Sequence, residues 1–436
     1  MSATRGAGLE ARSQRLWEGE SFTLSGDEHP FVPLNVLEEV ADGVGFYKSF
    51  SNLAVVRTGE GAVLLDTGSH VALLQQMAFE KVRAFAPERI HTAVYTHGHV
   101  DHAYGLPPFL EEARGRAWAP PAIVGHREVP ARMRRYAETA GYNARINARQ
   151  FGIEVEWPTT ADFPTATYDE RMELDVGGVR IVLRHARGET DDHTWISLPD
   201  RGVLVTGDLF IWAAPNCGNP QKVQRWARDW ATALRAMNGE SARVLLPGHG
   251  LPIYGEDRVR RALLETATYL ESLHDQTVAL MNAGATIDDV VHAVKPPPEL
   301  ARRPYLQPVY DEPEFIVRNV WRCYGGWWGG VPSELKPARR ADQAREIAAL
   351  SGGPGALAAR AEALSRAGDH RLACHLADWA ADAAPADRGV HAIRAAIYDA
   401  RVKAETSTMA RGIFRDAART SHEIAGDDAP PSSRSL

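Results

Sequence analysis

The sequence predicts an α/β protein: an αββα sandwich of two packed sheets with helices outside, followed by an all-α helical region. Three observations predict it. Short apolar runs bounded by Gly, Asn and Pro alternate with helical spacing up to about residue 256. They come as strands, then helices, then strands again, the order that suits two sheets with outer helices. From Arg339 the chain turns Ala-rich with helical periodicity.

The elements follow in order. Between about residues 35 and 70 lie short strands and Gly-rich turns around Gly43-Val44-Gly45, Asn52-Leu53-Ala54-Val55-Val56 and Ala62 to Leu65. Val71, Leu74, Met77, Ala78, Val82 and Phe85 fall at helical spacing, and the helix must stop before Pro87. Ile90 to Thr96 and Ala122 to Gly125 read as strands. Residues 127–171, rich in Arg, Asn and aromatics, read as helix plus insertion. Val179 to Leu183 and Trp195 to Leu198 are strands around a very polar loop. Arg258 to Ala283 has the pattern of a long amphipathic helix, and Lys295-Pro296-Pro297-Pro298 marks a break. Helices then run from Arg339 to about Arg419, turning at Gly352-Gly353-Pro354-Gly355, Gly368-Asp369 and Pro385. Ala361 to Pro385 looks like one tetratricopeptide-type hairpin, whereas a binding solenoid needs about three repeats. The expected boundaries are an N-terminal extension at 1–34, a first domain at 35–275, a helical domain at 276–425 and a disordered tail at 426–436.

Composition narrows the function classes. A chain of 436 residues exceeds one ordinary core, so two or more domains are expected. Charged residues at 24% and hydrophobic ones at 44% are those of a soluble globular protein. No apolar run approaches the ~20 residues of a membrane span, and Met1 to Arg15 lacks the apolar core of a signal peptide. A cytoplasmic protein with no stable membrane association is expected. The three cysteines, Cys217, Cys323 and Cys374, lie too far apart for a CxxC site or a disulfide framework. A net charge of −7 argues against nucleic acid as a partner.

The chemistry concentrates in Thr96-His97-Gly98-His99-Val100-Asp101-His102, just after a strand. Imidazole nitrogens and carboxylate oxygens are the ligands borderline divalent metals such as zinc prefer. His97 and His99 can converge on one ion, and Asp101 and His102 on a second. Strand ends are where open α/β sheets place their sites.

This motif resembles the signature of the metallo-β-lactamase superfamily. Three further segments carry the resemblance in order: Ala62 to Gly68 with Asp66 supporting the metal loop, Val203 to Asp208, and Leu245 to Gly250 with His249. The resemblance implies the αββα fold, two Zn(2+) per chain, Asp208 as the bridging carboxylate and His249 as the last ligand. Asp101 and Asp208 are its implied catalytic carboxylates. The remaining ligand of the first metal comes from residues 184–194. Glu189 lies 19 positions before Asp208 (208 − 189), His185 lies 23 before it and His193 lies 15 before it. Spacing favours Glu189, with His193 and His185 as alternatives; Asp191 and Asp192 read as supporting groups.

The C-terminal half resembles the alkylsulfatase dimerisation domain, through Tyr324 to Pro332, Ala361-x-x-Leu364-x-x-x-Gly368-Asp369 and Leu376-Ala377-Asp378. The resemblance implies a homodimer acting on a small-molecule ester, a sulfate ester first. Tyr142, Asn143, Arg145, Asn147 and Arg149 resemble the segment facing the site in that family. Asn216 and Asn219, in the loop after Asp208, should line the pocket. The family's His-Asn pair is absent from that loop. Carboxylic esters, lactones and thioesters therefore stay open as substrates, and a mononuclear-iron oxidoreductase is the alternative from another class. Trp195, Trp212, Trp226 and Trp230 are either a pocket wall or core, and Cys217 reads as a passive thiol.

Overall fold

The computed structural model describes residues 8–19 and 29–426. The first sheet holds seven strands in chain order: β1 (Val36–Ala41), β2 (Val44–Lys48), β3 (Leu53–Thr58), β4 (Gly61–Leu65), β5 (Ile90–Val94), β6 (Ala122–His126) and β7 (Ala166–Tyr168). β1 to β4 form an antiparallel meander; β4, β5, β6 and β7 run parallel. The parallel pairs need crossovers, supplied by α2 (Ala72–Phe85) between β4 and β5 and α3 (Pro107–Gly115) between β5 and β6. Every residue of β4 is buried, as expected for a strand covered on both faces.

The second sheet has the order β13-β12-β11-β10-β9-β8, from β8 (Arg171–Val176), β9 (Val179–His185), β10 (Thr194–Leu198), β11 (Val203–Gly207), β12 (Val244–Pro247) and β13 (Ile253–Tyr254). β11 and β12 are parallel, joined through α6 (Ala227–Asn238). Val44, Phe46, Val56, Val63 and Leu65 of the first sheet share one core with Ile181, Leu183, Ile196, Leu198 and Leu204 of the second. The two sheets are therefore packed face to face. β7 falls inside the stretch read as helix plus insertion, and β8 begins at its last residue. Each is short or half exposed, so neither has the apolar run that marks a strand.

Around the sandwich lie α1 (Leu9–Trp17), α4 (Val129–Glu138), α7 (Glu256–Asn282), α8 (Ile287–Ala293), α9 (Pro298–Ala301) and α10 (Pro313–Gly325). α1 lies within the expected N-terminal extension and packs on the sandwich: Leu9 and Leu16 are buried in the main core, and Ser13 donates to Pro252 O. Val290, Val291, Ile316, Val317 and Val320 enter the same core. The compact unit accordingly takes in the described residues up to Gly141 and then Trp157–Gly326. It ends well beyond the boundary expected at 275, because α8 and α10 bury their apolar faces on it.

The second unit comprises Tyr142–Glu156 and the chain from Trp327 onward. It is helical: most of α5 (Ala140–Phe151), α11 (Pro332–Leu335), α12 (Arg340–Leu350), α13 (Pro354–Arg366), α14 (His370–Ala383), α15 (Arg388–Ala404) and α16 (Thr408–Ala425). Ala358, Ala361, Ala373, Ala377 and Ala380 are buried between helices, where small side chains allow close approach. Asp369, Asp387 and Ser407 cap α14, α15 and α16 through backbone N–H groups. Asp378 ties α14 to α15, accepting from Arg394 Nε at 2.8 Å and Tyr398 Oη at 3.0 Å. The expected tail from 426 lies, apart from Gly426, outside the described residues. Among the described residues no helix is long and apolar enough to cross a membrane.

Candidate metal centre

β5 ends at Val94, and the chain turns at once through the His-rich loop. Asp66, just past β4, organises that loop as a buried acceptor. It takes hydrogen bonds from Thr96 N (2.7 Å), Thr96 Oγ1 (2.8 Å) and His102 Nδ1 (2.9 Å). These bonds settle the tautomers, since a neutral imidazole carries one proton. With its Nδ1–H given to Asp66, His102 in its neutral form presents Nε2 bare. Thr96 Oγ1 has given its hydrogen to Asp66, so it accepts from His97 Nδ1 at 3.0 Å, and His97 also presents Nε2 bare. His249 donates Nδ1–H to Phe50 O at 2.6 Å, with the same result. Such outer bonds fix ligand orientation in metal sites.

The bare atoms converge in two groups. His97, His99, Glu189 and Asp208 form one, and Asp101, His102 and His249 form the other, with the ligand atoms of each group all within 4.8 Å of one another. Asp208, after β11, faces both. Its Oδ2 lies 3.8 Å from His97 Nε2, while its Oδ1 lies 3.2 Å from His102 Nε2 and 3.4 Å from His249 Nε2. Asp101 Oδ2 is 3.6 Å from both His102 Nε2 and His249 Nε2. Asp208 gets this close to the β12 end because Gly248 has no side chain; a Cβ there would run into Asp208 Oδ1 and lie 2.8 Å from Gly207 C.

The donor set fits divalent cations. His102 Nε2 and His249 Nε2 face each other at 3.4 Å with their protons committed elsewhere. Glu189 Oε2 is buried without a hydrogen-bond partner, 3.5 Å from His99 Nδ1 and 3.9 Å from His97 Nε2. Lone pairs crowded this way, away from water, call for a cation. Burial, then the neighbouring imidazoles, holds His97 well below the usual histidine range. Burial, then Arg132 and Arg225, does the same for His99. Neutral imidazole is the ligating form. Burial pushes Glu189 up to about 7 against the pull of Arg225. Burial raises Asp208 too, but His102 and His249 outweigh it and hold the carboxyl well below the carboxylate range.

Of the three alternatives for the remaining first-group position, the structure groups Glu189 with His97 and His99. His193 stacks on His97 (4.5 Å, 15°) and turns Nε2 to Thr206 O at 3.2 Å. His185 stacks on His126 (3.7 Å, 5°) and donates Nδ1–H to His193 O. Asp192 is a loop brace: it accepts from Gly98 N at 2.8 Å and pairs with Arg132 Nε at 2.8 Å, while Asp191 pairs with Arg132 Nη2.

Asn216 bonds Glu189: its Nδ2 donates to Glu189 Oε1 at 3.1 Å. Asn219 Oδ1 accepts from Gln221 N at 3.0 Å and folds its own loop. Tyr142, Asn143, Arg145, Asn147 and Arg149 lie on α5 within the second unit. There Asn147 Nδ2 donates to Asn143 O, and Arg149 pairs with Asp416 at 3.4 Å. Trp195, Trp212 and Trp230 are core, with Trp212 donating to Leu251 O and Trp230 to Leu209 O; Trp226 is partly buried ahead of α6. Cys217 is fully buried, and burial pushes its thiol up, which leaves it inert.

Sequence reasoning missed Arg132 and Arg225, buried cations with no local pattern around them. It also missed Phe31 and Phe50, whose rings lie 4.4 and 5.5 Å from His249. Partners drawn from distant segments leave no periodic or spacing signal.

Residues 47–249 match the family model of the metallo-beta-lactamase superfamily, and residues 286–423 that of alkyl sulfatase dimerisation. The chain is similar to a linear primary-alkylsulfatase of Pseudomonas sp., at 29% identity over 347 residues, 74% of this chain and 63% of that protein. It is similar also to an alkyl/aryl-sulfatase of Saccharomyces cerevisiae, at 25% identity over 337 residues, 71% of this chain and 52% of that protein. It thus spans less than two thirds of the length of these relatives. Among solved structures, a stereoselective inverting sec-alkylsulfatase from Pseudomonas sp. shares the fold, with a TM-score of 0.81 at 23% identity, over 92% of this chain and 67% of that one.

Proposed function

We propose, for a chain that belongs to the metallo-β-lactamase superfamily and carries an alkyl sulfatase dimerisation region, the activity of a binuclear zinc-dependent hydrolase of sulfate esters, working as a homodimer. The observation that carries this reading is Asp208, which turns one oxygen to each ligand group. His97, His99, Glu189 and Asp208 would hold one ion, and Asp101, His102, His249 and Asp208 the other. When bound, paired divalent ions supply a low-pKa water and electrophilic stabilisation of developing negative charge.

The chain's own residues prepare that chemistry. Asp66, Thr96 and Phe50 O keep His97, His102 and His249 in the tautomers that present Nε2. Asp208 stays ionised beside His102 and His249. Phe31 and Phe50 shield the His249 side from water, and Tyr136, 6.0 Å from His99, flanks the other group. The similarity to alkylsulfatases of bacteria and yeast supports a sulfate ester as substrate.

Three measurements test the reading. Metal analysis of the purified protein should find about two zinc per chain, and one iron per chain would overturn it. Incubation with alkyl sulfates, carboxylic esters, lactones, thioesters and phosphate esters should release inorganic sulfate fastest. Background sulfate release with turnover of a thioester or lactone would reassign the substrate. Light scattering after gel filtration should give the mass of a dimer.

A further inference from the structure

Glu189 does not reach the ligand group unaided. Its Oε1 is occupied twice, by Arg225 Nη1 at 2.6 Å and Asn216 Nδ2 at 3.1 Å, and this leaves Oε2 as the oxygen turned to His97 and His99. Arg225 is 3% exposed, and its Nη1 also donates to Asn216 O, closing a ring of three residues around the carboxylate. The backbone of Arg225 is read from both sides by one side chain of α10. Asn319 Oδ1 accepts from Arg225 N at 3.3 Å, and Asn319 Nδ2 donates to Arg225 O at 2.8 Å. At the other end of the same loop, Gly218 N donates to Asp311, just before α10. Gly218 packs so closely on Phe315 and Ile316 of α10 that a side chain there has no room. The loop from Asn216 to Arg225 is therefore stapled at both ends to one helix.

That helix lies inside 286–423, the stretch matching the dimerisation model, yet it is buried on the sandwich unit. We propose that Arg225 is the positioning residue for Glu189, and that Asp311 and Asn319 of the α10 segment hold it there. The α10 segment of the sandwich unit thus sets the metal affinity of the first ligand group. The inference rests on reading the two groups as metal sites. A buried guanidinium donating to one carboxylate oxygen fixes the group's direction as well as countering its charge. With Oε1 engaged, Glu189 can offer one oxygen only. Without Arg225 the side chain is free to turn both oxygens inward or swing away.

The test is a cobalt(II) titration of the metal-free full-length chain against a chromophoric chelator, following the visible absorption of the bound ion. Wild type should bind in two resolvable steps. In Arg225→Met one step should weaken by about 10- to 100-fold, the usual effect of losing an outer partner of a ligand, and change its spectrum, while the other keeps its affinity. Arg225→Lys, which keeps the charge but not the planar guanidinium that reaches both Glu189 and Asn216, should recover part of the loss. Asn319→Ala should fall between wild type and Arg225→Met. Wild-type titration by Arg225→Met would overturn the assignment, and so would equal weakening of both steps, the mark of general collapse. If wild type binds no divalent ion, the metal-centre reading falls as well; if it binds two and Arg225→Met matches it, only the role of Arg225 falls.

Discussion

Asp66→Asn is the sharpest perturbation of the centre, because it changes one atom and no shape. Asp66 accepts three bonds, from Thr96 N, Thr96 Oγ1 and His102 Nδ1. An amide in its place can still accept from Thr96 N and can donate to Thr96 Oγ1, whose hydrogen then turns away. It cannot accept from His102 Nδ1, since Asn Nδ2 and His Nδ1–H are both donors. Either the bond is lost, or His102 moves its proton to Nε2 and gives up the lone pair aimed at Asp101, Asp208 and His249. A charge-assisted bond is worth about 1.5–3 kcal/mol. Burial, which pushes the Asp66 carboxyl up, returns part of that when the charge is removed. The expected net effect at the metal is about 1.4–2.7 kcal/mol, a loss of about 10- to 100-fold in affinity. It should fall mainly on the Asp101–His102–His249 group, with a smaller effect on the other group through Thr96 Oγ1 and His97 Nδ1. Metal titration with a competing chelator reads the affinities, and denaturant unfolding of the metal-free protein reads stability separately. Unchanged affinity at both steps with lower stability alone would refute the tautomer argument.

Gly248→Ala should cost affinity at both groups, because the added Cβ displaces the carboxylate that faces both; metal analysis showing two ions retained would contradict this. Chelation should lower the melting temperature: a ligand present at a thousandfold its dissociation constant adds about 4 kcal/mol to folding stability, and an unchanged melt after chelation would argue that no ion is held. Burial, then the stacked His185, lowers His126 to about 4, so this group stabilises the fold above about pH 6.5 and loses that contribution as pH falls towards 4. His126→Phe keeps the stacking and removes the proton site. Its unfolding free energy should decline less steeply from pH 6.5 to 4 than that of wild type, by up to about 1.4 kcal/mol per pH unit; parallel profiles would exclude His126 as the cause.

Much of this protein was legible in the chain because the signals are local. The sandwich could be read from apolar runs such as β4, β5 and β11, which are buried along their length except at His91 of β5 and end where the chemistry begins. The helical region showed in its Ala-rich periodicity and Gly and Pro turns. β7 and β8 were illegible because β7 is three residues long and mostly exposed, and β8 alternates exposed with half-buried positions. α1 was illegible because its polar face dominates its composition, although Leu9 and Leu16 reach the main core.

What the sequence by itself determined is the crowding of His97, His99, Asp101 and His102 at one strand end, since six consecutive residues cannot lie far apart. Asp208 and His249 followed from their own strand ends. Tertiary structure alone decided which residue of 184–194 turns to His97 and His99, because only folding brings Arg225 and Asn216 to Glu189 and Thr206 O to His193. It also decided that α10 belongs with the sandwich. Both outcomes depend on contacts about 13 to 94 positions apart in the chain, such as His193–Thr206, Asn216–Glu189 and Arg225–Asn319. Burial and hydrogen bonding at that range are properties of packing, and no short stretch of sequence encodes them.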